Sequence, residues 1–348
     1  MPTVMAHLNS AINTIERWAK RSHLLSYPSI LQIELSSSCN LTCTICARSE
    51  FPYGPGYFPL SSFSSLVPAF PYVKKLILHG YGEPLMHPKF PEIMEIIGPH
   101  SCHKSFYTNG TLLSGKRVDA IFQGNIDEIA VSIDTPHAPT FESIRTGASF
   151  RRIVENIDNF IAKRDARKKA KRPRVILATV AMTDTVQHLP SLVDFAASLG
   201  VDAVEVNYLM AYKKSLVKKS LYFLQEQSNI AFIEAKERAK RHGMELRLPA
   251  LFSLKKTHEG PRPQNVCPRL YDFIYIGYDA NVRPCCFPLL FVGNISNESI
   301  KEIWNGKAYQ NLRESFAKRM PPQFCGECLT GTYTDVDSEK CHISCEMR

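Results

Sequence analysis

Three cysteines near the amino terminus are the residues best suited to chemistry. Cys39, Cys43 and Cys46 stand at CxxxCxxC spacing in the segment CNLTCTIC, directly after a predicted strand. Thiolates this close can converge on one iron–sulfur cluster, each bonding a different iron. A four-iron cubane would then keep one iron open to an external ligand. The alternative is buried thiols or a structural zinc, for which His79 and His87 are the candidate fourth ligands.

A second set of cysteines lies beyond residue 266, and only Cys102 stands apart from both groups. The chain shows no export signal, and disulfides do not persist in a reducing cytosol. These thiols are therefore expected to be metal ligands, catalytic groups or buried apolar side chains. The second set comprises Cys267, Cys285, Cys286, Cys325, Cys328, Cys341 and Cys345.

The elements that must position the first cysteines alternate between strand-like and helix-like patterns. After an amphipathic segment at residues 8–21, short Ile-, Val- and Leu-rich runs predict strands, with helix-like stretches between them. Six β–α alternations imply a parallel sheet, either an open doubly wound sheet or a full or partial barrel. The predicted strands cover residues 30–35, 75–79, 104–108, 128–133, 174–181 and 202–207, and the helices 89–97, 114–123, 151–164 and 188–199.

The pattern changes after residue 255. Residues 256–268 are polar and proline-rich, which predicts a linker. A hairpin with its turn at Asp279–Asn281 and a short helix at 299–305 follow. We therefore predict an N-terminal helical segment at 1–27, a core at 28–255 and a small cysteine-rich unit at 256–348.

Charge and hydropathy narrow the class of partner. The 348 residues carry a net charge of +9, but residues 163–174 alone hold eight basic residues and one acid. Such a run is typical of a solvated helix end, so a nucleic-acid partner is not expected. No run of 18 apolar residues occurs, so we expect a cytoplasmic protein with no membrane partner.

The cysteine spacing followed by a β/α core resembles the radical S-adenosylmethionine (SAM) superfamily. The resemblance implies a partial (β/α)6 TIM-like barrel and a SAM-binding [4Fe–4S] cluster. In that family SAM chelates the open iron and is cleaved to a 5′-deoxyadenosyl radical, which abstracts a substrate hydrogen. An electron donor such as flavodoxin or ferredoxin is implied as well. The family usually has an aromatic residue before the third cysteine, whereas this chain has Ile45.

Further motifs fall in the family's order along the chain. The segment Gly80-Tyr81-Gly82-Glu83-Pro84 resembles the Gly-Gly-Glu motif that receives the amino group of SAM. Glycines allow close backbone approach, and a carboxylate suits an ammonium. By the same resemblance, Ser132 and Arg145 are candidates for the SAM ribose and carboxylate. The SAM-binding residues that the resemblance implies are Gly80, Gly82, Glu83, Asn109, Ser132 and Arg145.

The C-terminal cysteines resemble the SPASM and Twitch extensions of radical SAM enzymes, which bind auxiliary four-iron clusters. Ala280 stands where the family has a glycine in the hairpin turn. A Twitch-like plan gives one cluster bound by Cys267, Cys285, Cys325 and Cys328. A SPASM-like plan gives two clusters, one bound by Cys267, Cys285 and Cys345 and the other by Cys325, Cys328 and Cys341. A structural zinc fits four thiolates equally well.

The reaction is less defined than the cofactor. An oxidation, epimerisation or crosslinking of a small molecule or a peptide fits the motifs, and an iron–sulfur carrier or scaffold without turnover is the alternative. About 28 residues precede the first strand, too few for a leader-binding winged helix, which argues slightly against a leader-dependent peptide and leaves short or leaderless peptides open. No catalytic base stands out. Candidates are Glu205, Asn207 and Tyr208 with Arg174, and Cys286 could donate hydrogen, bind substrate or simply be packed.

Overall fold

The structure is a computed structural model that describes residues 2–50, 54–167, 173–211, 213–252, 266–286, 290–323 and 325. The strands are β1 (Ile30–Ile33), β2 (Lys75–Ile77), β3 (His103–Thr108), β4 (Glu128–Ser132), β5 (Arg174–Ala181), β6 (Ala203–Tyr208), β7 (Glu245–Arg247), β8 (Phe273–Ile276), β9 (Asn281–Arg283) and β10 (Gly293–Asn294). The helices are α1 (Val4–Trp18), α2 (Leu60–Leu66), α3 (Phe90–Ile97), α4 (Lys116–Gln123), α5 (Ala138–Ile144), α6 (Phe150–Asp165), α7 (Leu189–Ser198), α8 (Lys214–Val217), α9 (Gln225–His242), α10 (Arg269–Asp272), α11 (Ile300–Trp304) and α12 (Lys307–Ala317). Short 3₁₀ turns cover Ala47–Glu50, Val67–Tyr72, Pro84–Met86, Val186–His188 and Leu221–Leu224.

All described strands join one sheet, in the order β10-β9-β8-β1-β2-β3-β4-β5-β6-β7. The neighbours from β8 to β7 are parallel, whereas β9 and β10 pair antiparallel at one edge. The predicted parallel α/β core with a partial, unclosed barrel is thereby confirmed, and all six predicted strands are present. β7 and β8, which were not predicted as core strands, extend the parallel sheet on either side.

The two faces of the sheet bury different residues. Outward-facing side chains such as Leu31, Phe106 and Leu177 pack into the main hydrophobic core with the surrounding helices. A separate inward group consists of Ala130, Ile176, Ala178 and Ala203, packed against Tyr107. Small residues on the inner face leave room near the carboxyl ends of the strands, where parallel α/β folds place their chemistry.

The C-terminal hairpin continues the sheet of the core. β8 pairs in parallel register with β1, from Ile30 opposite Phe273 to Ile33 opposite Ile276. The turn between β8 and β9 falls where it was predicted, and Ala280 there has a left-handed φ of 63°. The predicted short helix is present as α11, which begins with a capping box between Ser299 and Glu302. Most of the predicted linker lies outside the described residues, so the domain division stays a prediction.

The N-terminal helix differs from its predicted bounds. α1 begins at Val4 because Thr3 caps it, its side-chain oxygen accepting a hydrogen bond from Ala6 N at 3.0 Å. It ends at Trp18, three residues before the predicted end. Within the described part of the chain, no helix is long and apolar enough to cross a bilayer.

Candidate active site

The first cysteine group (Cys39, Cys43 and Cys46) lies in the loop after β1, at the carboxyl end of the strand. Main-chain hydrogen bonds fasten this loop to the segment after α5, from Thr42 N to Thr146 O at 3.0 Å and from Thr44 N to Ile144 O at 2.8 Å. The three thiols are partly exposed. The loop is therefore held from its main chain, and its thiols remain accessible to a cofactor.

The thiols of this group lie close enough to influence each other. Burial raises the pKa of Cys43 to about 11, Arg145 opposes this shift, and the charges of Cys46 and Cys39 reinforce it. Thiolates crowded in this way need positive charge beside them, which iron supplies. The donor set therefore fits an iron–sulfur cluster.

A compact zinc site has less support. Among the described residues, no three His, Cys, Asp or Glu side chains are arranged to hold a single metal ion. The two candidate histidines are engaged elsewhere: His79 Nδ1 accepts from Tyr107 N at 3.2 Å, and His87 Nε2 pairs with Phe58 O at 2.8 Å. A cubane distributes its thiolates over different irons, so it does not require such an arrangement.

Gly80 and Gly82 belong to a loop packed directly against the cysteine loop. A Cβ added at Gly82 would lie 2.3 Å from Ser36 O and 2.6 Å from Ser38 O. One added at Gly80 would lie 2.5 Å from the Glu34 side chain. Glu83 N donates to Ser38 O at 2.8 Å. Only glycine allows the two loops to approach this closely.

Glu83 is a buried brace between the loops that follow β2 and β3. Its carboxylate accepts hydrogen bonds from Leu85 N at 3.1 Å, Thr108 Oγ1 at 2.8 Å and Asn109 N at 2.7 Å. Burial nevertheless raises its pKa to about 7. The structure thus gives Glu83 a positioning role that the sequence did not predict, and its contact with SAM stays a prediction.

Asn109 lies beside the first cysteine group. Its Nδ2 donates to Asn40 Oδ1 at 3.0 Å and lies 3.7 Å from Cys39 Sγ. Its Oδ1 accepts from Thr111 N at 2.9 Å and from Thr111 Oγ1 at 2.6 Å. The amide therefore links the loop after β3 to the cysteine loop.

Asp134, to which the sequence assigned no role, orients Arg145 beside the first cysteine group. Asp134 accepts two hydrogen bonds from the Arg145 guanidinium, at 2.7 and 3.0 Å. Burial alone would lower the pKa of Arg145, but Asp134 and the nearby Cys43 and Cys46 thiols raise it. Ser132 is half-buried at the end of β4, opposite Ala178. Arg145 is thus a fixed cation next to the cysteine thiols.

A polar network crosses the inner face of the sheet. Tyr107 Oη donates to Glu205, and Arg247 Nη1 contacts Glu205 at 3.2 Å while the guanidinium pairs with Glu128 at 2.8 Å. Asn207 Nδ2 also lies 3.3 Å from Glu205 Oε1. Burial, reinforced by Glu205, raises the pKa of Tyr107. Tyr107 was missed in the sequence, although the alternation of side chains along the predicted strand at 104–108 places it on one face of the sheet. Arg247 was missed because it lies on β7, which was not predicted.

Two residues that were predicted to lie with Glu205 near a catalytic base, Arg174 and Tyr208, do not lie there. Arg174 is the first residue of β5, at the opposite edge of the sheet from the cysteines, where it pairs with Glu245. Tyr208 packs on the outer face against Phe232 and donates to Ala250 O at 2.6 Å. Both placements correct the prediction, because side chains on a strand alternate between faces and Tyr208 is three positions from Glu205.

The second cysteine group (Cys267, Cys285 and Cys325) comes together from three separate segments. Burial raises the pKa of Cys325 to about 12, and the charges of Cys285 and Cys267 add to this shift. The other candidate ligands, Cys328, Cys341 and Cys345, lie outside the described residues. The arrangement brings three of the four Twitch-like ligands together.

A buried polar cluster lies beside the second cysteine group. Tyr309 Oη and Arg313 Nη2 are buried without a hydrogen-bond partner among the described residues. Burial, reinforced by the nearby Cys285 and Cys267 thiols, raises the pKa of Tyr309. Arg313 Nε donates to Leu270 O at 2.8 Å, close along the chain to Cys267. Orphaned donors next to crowded thiols fit a site built for a group with sulfur acceptors.

Cys286 links the two cysteine groups. Its main-chain oxygen accepts a hydrogen bond from Tyr81 Oη at 2.9 Å, and Tyr81 belongs to the loop between Gly80 and Gly82. Its thiol is partly exposed, whereas Cys102 is buried in the core. The chain therefore connects the first cysteine site to the second through one side chain.

Comparison with known proteins identifies the class. Residues 33–196 match the radical SAM superfamily, and residues 267–329 match the SPASM iron–sulfur cluster-binding domain. The chain is 23% identical over 325 residues to a tungsten-containing aldehyde ferredoxin oxidoreductase cofactor-modifying protein of Pyrococcus furiosus, covering 86% of each chain. It is 25% identical over 337 residues to an AdoMet-dependent heme synthase of Methanosarcina barkeri, covering 89% of this chain and 90% of that protein. The fold resembles Streptococcus suis SuiB bound to S-adenosylmethionine, with a TM-score of 0.64, 16% identity, and coverage of 88% and 72%.

The chain is therefore a member of the radical SAM superfamily. Within the superfamily, it is one of the members that carry a C-terminal SPASM domain. Membership implies SAM, a SAM-binding [4Fe–4S] cluster and auxiliary iron–sulfur binding.

Proposed function

We propose that this protein is an enzyme that cleaves SAM reductively and oxidises or rearranges a small molecule of the cofactor-precursor type. The observation that carries the proposal is the Tyr81–Cys286 hydrogen bond of 2.9 Å, which joins the loop beside the first cysteine group to the residue next to Cys285. A direct link between two cluster sites suits electron transfer between them. An iron–sulfur scaffold would have no need of the glycine loop beside the first site.

We assign the SAM-binding cluster to Cys39, Cys43 and Cys46. A cluster and SAM held there would supply the radical chemistry for hydrogen abstraction from the substrate. Gly82 lets the loop after β2 lie directly against the cysteine loop. Glu83 fixes the loop after β2 to the loop after β3. Arg145 offers its guanidinium, oriented by Asp134, to the SAM carboxylate. The proposed ribose contact is Ser132.

The inner face of the sheet is suited to a polar substrate group. Glu205 lies between Tyr107 and Arg247, so a substrate group there would meet a carboxylate, a phenol and a guanidinium at once. Glu205 is the candidate acceptor for the proton released in a two-electron oxidation. Two relatives that match over most of their length are named for heme synthesis and for cofactor modification, which supports a substrate of the cofactor-precursor type.

We propose that Cys267, Cys285 and Cys325, with Cys328 as fourth ligand, hold one auxiliary cluster. Tyr309 would donate its hydroxyl to a sulfur of that cluster, and the buried Arg313 would place a positive charge nearby. A low-potential protein such as flavodoxin or ferredoxin would supply the electron. The predicted units 28–255 and 256–348 then correspond to the radical and auxiliary parts.

Anaerobic reconstitution tests the proposal. The wild type should hold about eight irons per chain if each of two clusters has four, and should form 5′-deoxyadenosine with dithionite and SAM. Changing Cys39, Cys43 and Cys46 together to Ala should halve the iron and abolish 5′-deoxyadenosine, with Cys102→Ala as the matched control. Equal 5′-deoxyadenosine from both proteins would contradict the assignment of the first cluster. Zinc in place of the auxiliary iron would contradict the assignment of the auxiliary cluster.

Substrate class requires a separate measurement. Incubation with cell extract cleared of macromolecules should accelerate 5′-deoxyadenosine formation if the substrate is small. Activity that stays with the macromolecular fraction and disappears after proteolysis would identify a peptide substrate instead. Glu205→Gln should lower the stimulated rate and leave the slow, substrate-independent cleavage unchanged.

A further inference from the structure

Helix α1 turns its apolar face away from the protein. Its exposed large apolar side chains include Trp18 at 86% exposure, Val4 at 76% and Ile15 at 66%. At 3.6 residues per turn, the whole set falls within an arc of about 140°. The set consists of Val4, Met5, Leu8, Ile12, Ile15 and Trp18, and we call it the α1 apolar face.

The opposite face of α1 is polar and fixes this orientation. Asn9 Nδ2 donates to Tyr27 O at 2.9 Å and to Tyr72 O at 3.1 Å. Asn13 Nδ2 donates to Ser26 Oγ at 2.7 Å, and Glu16 accepts from Leu25 N at 2.6 Å. Rolling the helix to hide its apolar face would break these buried hydrogen bonds, at about 1–3 kcal/mol for each orphaned group. The apolar face is therefore outward by construction.

Charge identifies the kind of surface that this face fits. The only acidic residue among positions 1–27 is Glu16, and it is buried. Arg17, Lys20 and Arg21 lie at or just after the C-terminal end of the helix, and Lys20 and Arg21 are exposed. The partly exposed Asp272 of α10, an acid from another segment, interacts with Arg17 and leaves Lys20 and Arg21 as the exposed charges. An outward apolar stripe that contains Trp and is bordered by exposed basic residues is typical of a helix that lies in a membrane interface.

We propose that α1 docks this protein onto the surface of an anionic lipid bilayer, with the α1 apolar face in the interface and the adjacent basic residues against the headgroups. A second copy fits this face less well, because a two-fold contact would place the basic ends of two α1 helices in one interface without acids to balance them. The expectation of no membrane partner rested on the absence of a spanning segment, which does not bear on surface docking.

Docking would also set the orientation of the enzyme. The residues that hold α1, Tyr27 and Tyr72, precede β1 and β2, so α1 lies at the edge where the strands begin. The first cysteine group lies at the edge where they end. The docked protein would therefore hold its reaction site away from the bilayer.

Tryptophan fluorescence gives a direct test. The chain has two tryptophans, and Trp304 is fully buried whereas Trp18 is exposed. The reconstituted full-length protein is mixed with vesicles of phosphatidylcholine, with or without phosphatidylglycerol. We expect a blue shift and co-sedimentation with the anionic vesicles, weakened by salt. Trp18→Phe should abolish the shift and leave most of the binding intact.

Paired variants make the test specific. Leu8→Gln with Ile15→Gln should weaken vesicle binding at least about tenfold, since each removes buried apolar area. Ile230→Gln with Ile233→Gln, at exposed apolar positions of α9, is the matched control and should bind like the wild type. All four positions are exposed, so folding is preserved.

Three results would overturn the proposal. The first is a lack of vesicle binding. The second is a dimer, measured by light scattering, that the Leu8 and Ile15 changes dissociate. The third is a Trp18 already shielded from acrylamide in the free monomer, which would mean that another segment of the chain covers the face.

Discussion

Replacing Glu83 with Ala tests whether this residue acts as a brace. The change removes the acceptor of three hydrogen bonds, from Leu85 N, Thr108 Oγ1 and Asn109 N. Each buried donor left without a partner costs about 1–3 kcal/mol, and local relaxation recovers part of this. We expect a loss of about 3–5 kcal/mol in the free energy of unfolding. The melting temperature should then fall by roughly 10 °C.

Two milder variants separate the hydrogen bonds from the charge. Thr108→Val removes one of the three donors, and Glu83 Oε1 keeps its hydrogen bond from Leu85 N. Because the change also takes away the acceptor of Gly110 N, it should cost about 1–2 kcal/mol. Glu83→Gln keeps one acceptor oxygen, but its amide NH₂ faces a donor that the carboxylate had accepted from. Its cost in the free energy of unfolding should therefore lie between those of Thr108→Val and Glu83→Ala. Calorimetry on the anaerobically purified holoproteins measures all three.

SAM affinity decides whether Glu83 also contacts the ligand. If its carboxylate holds the SAM ammonium, Glu83→Gln should weaken binding roughly 5- to 150-fold and Thr108→Val should have little effect. If it only braces the loops, both variants should weaken binding to a similar, smaller extent. A melting temperature for Glu83→Ala within about 2 °C of the wild type would refute the brace.

The raised pKa of Glu83 adds a pH test with a defined sign. Burial raises it from an ordinary value of 4.5 to about 7, so the native state holds this proton when the unfolded chain has lost it. The resulting stabilisation is complete below about pH 4.5 and is lost as the pH rises to about 7. Glu83→Gln cannot lose a proton, so the wild type should lose stability relative to this variant across that range. Parallel pH profiles would contradict the burial argument.

Four further changes test other parts of the site. Gly82→Ala should lower iron content, because its Cβ would lie 2.3 Å from a backbone oxygen, whereas Gly200→Ala, with open space but a φ of 69°, should cost about 1 kcal/mol and leave iron unchanged. Arg145→Lys should weaken SAM binding about tenfold by losing the bidentate geometry, and unchanged affinity would contradict its assignment. Tyr309→Phe should lower the potential of the auxiliary cluster by roughly 40 mV, the equivalent of one hydrogen bond of about 1 kcal/mol, in a redox titration followed by electron paramagnetic resonance. Deleting residues 338–348 should remove no iron if one auxiliary cluster exists, and about four irons if there are two.

The strands of the core were predictable because they are buried on both faces. The run from Arg174 to Ala181 is almost continuously apolar, and its predicted bounds match the structure. β7 was missed because it is only three residues long and two of them, Glu245 and Arg247, are charged, so the hydrophobic pattern carries little signal there. α9 was missed for a related reason, since its sequence is rich in charge and only a narrow set of residues faces the core.

The residues of the site were likewise predictable where they lie close together in the chain, and not where they are brought together by the order of the strands. Spacing alone was enough to single out Cys39, Cys43 and Cys46, because the ligands of the first group lie within one loop. Arg247 and Glu128 are 119 residues apart in the chain, and their pairing depends on the order of strands in the sheet. No local pattern could have predicted it. The misplacement of Arg174 had a simpler cause, because a residue that begins a parallel strand lies at the edge opposite the chemistry.

The contacts of the first cysteine loop indicate how the cluster is acquired. Main-chain bonds from Thr42 and Thr44, the amide of Asn109 and the close approach of Gly82 all fix this loop through protein atoms. Where metal binding supplies the folding energy, as in a zinc finger, the ligands are unfolded without it. Here the contacts that position the ligands run between protein atoms, so we expect the loop to keep its conformation before the cluster is inserted. The first cysteine group would then hold the cluster without a large rearrangement of the loops that surround it.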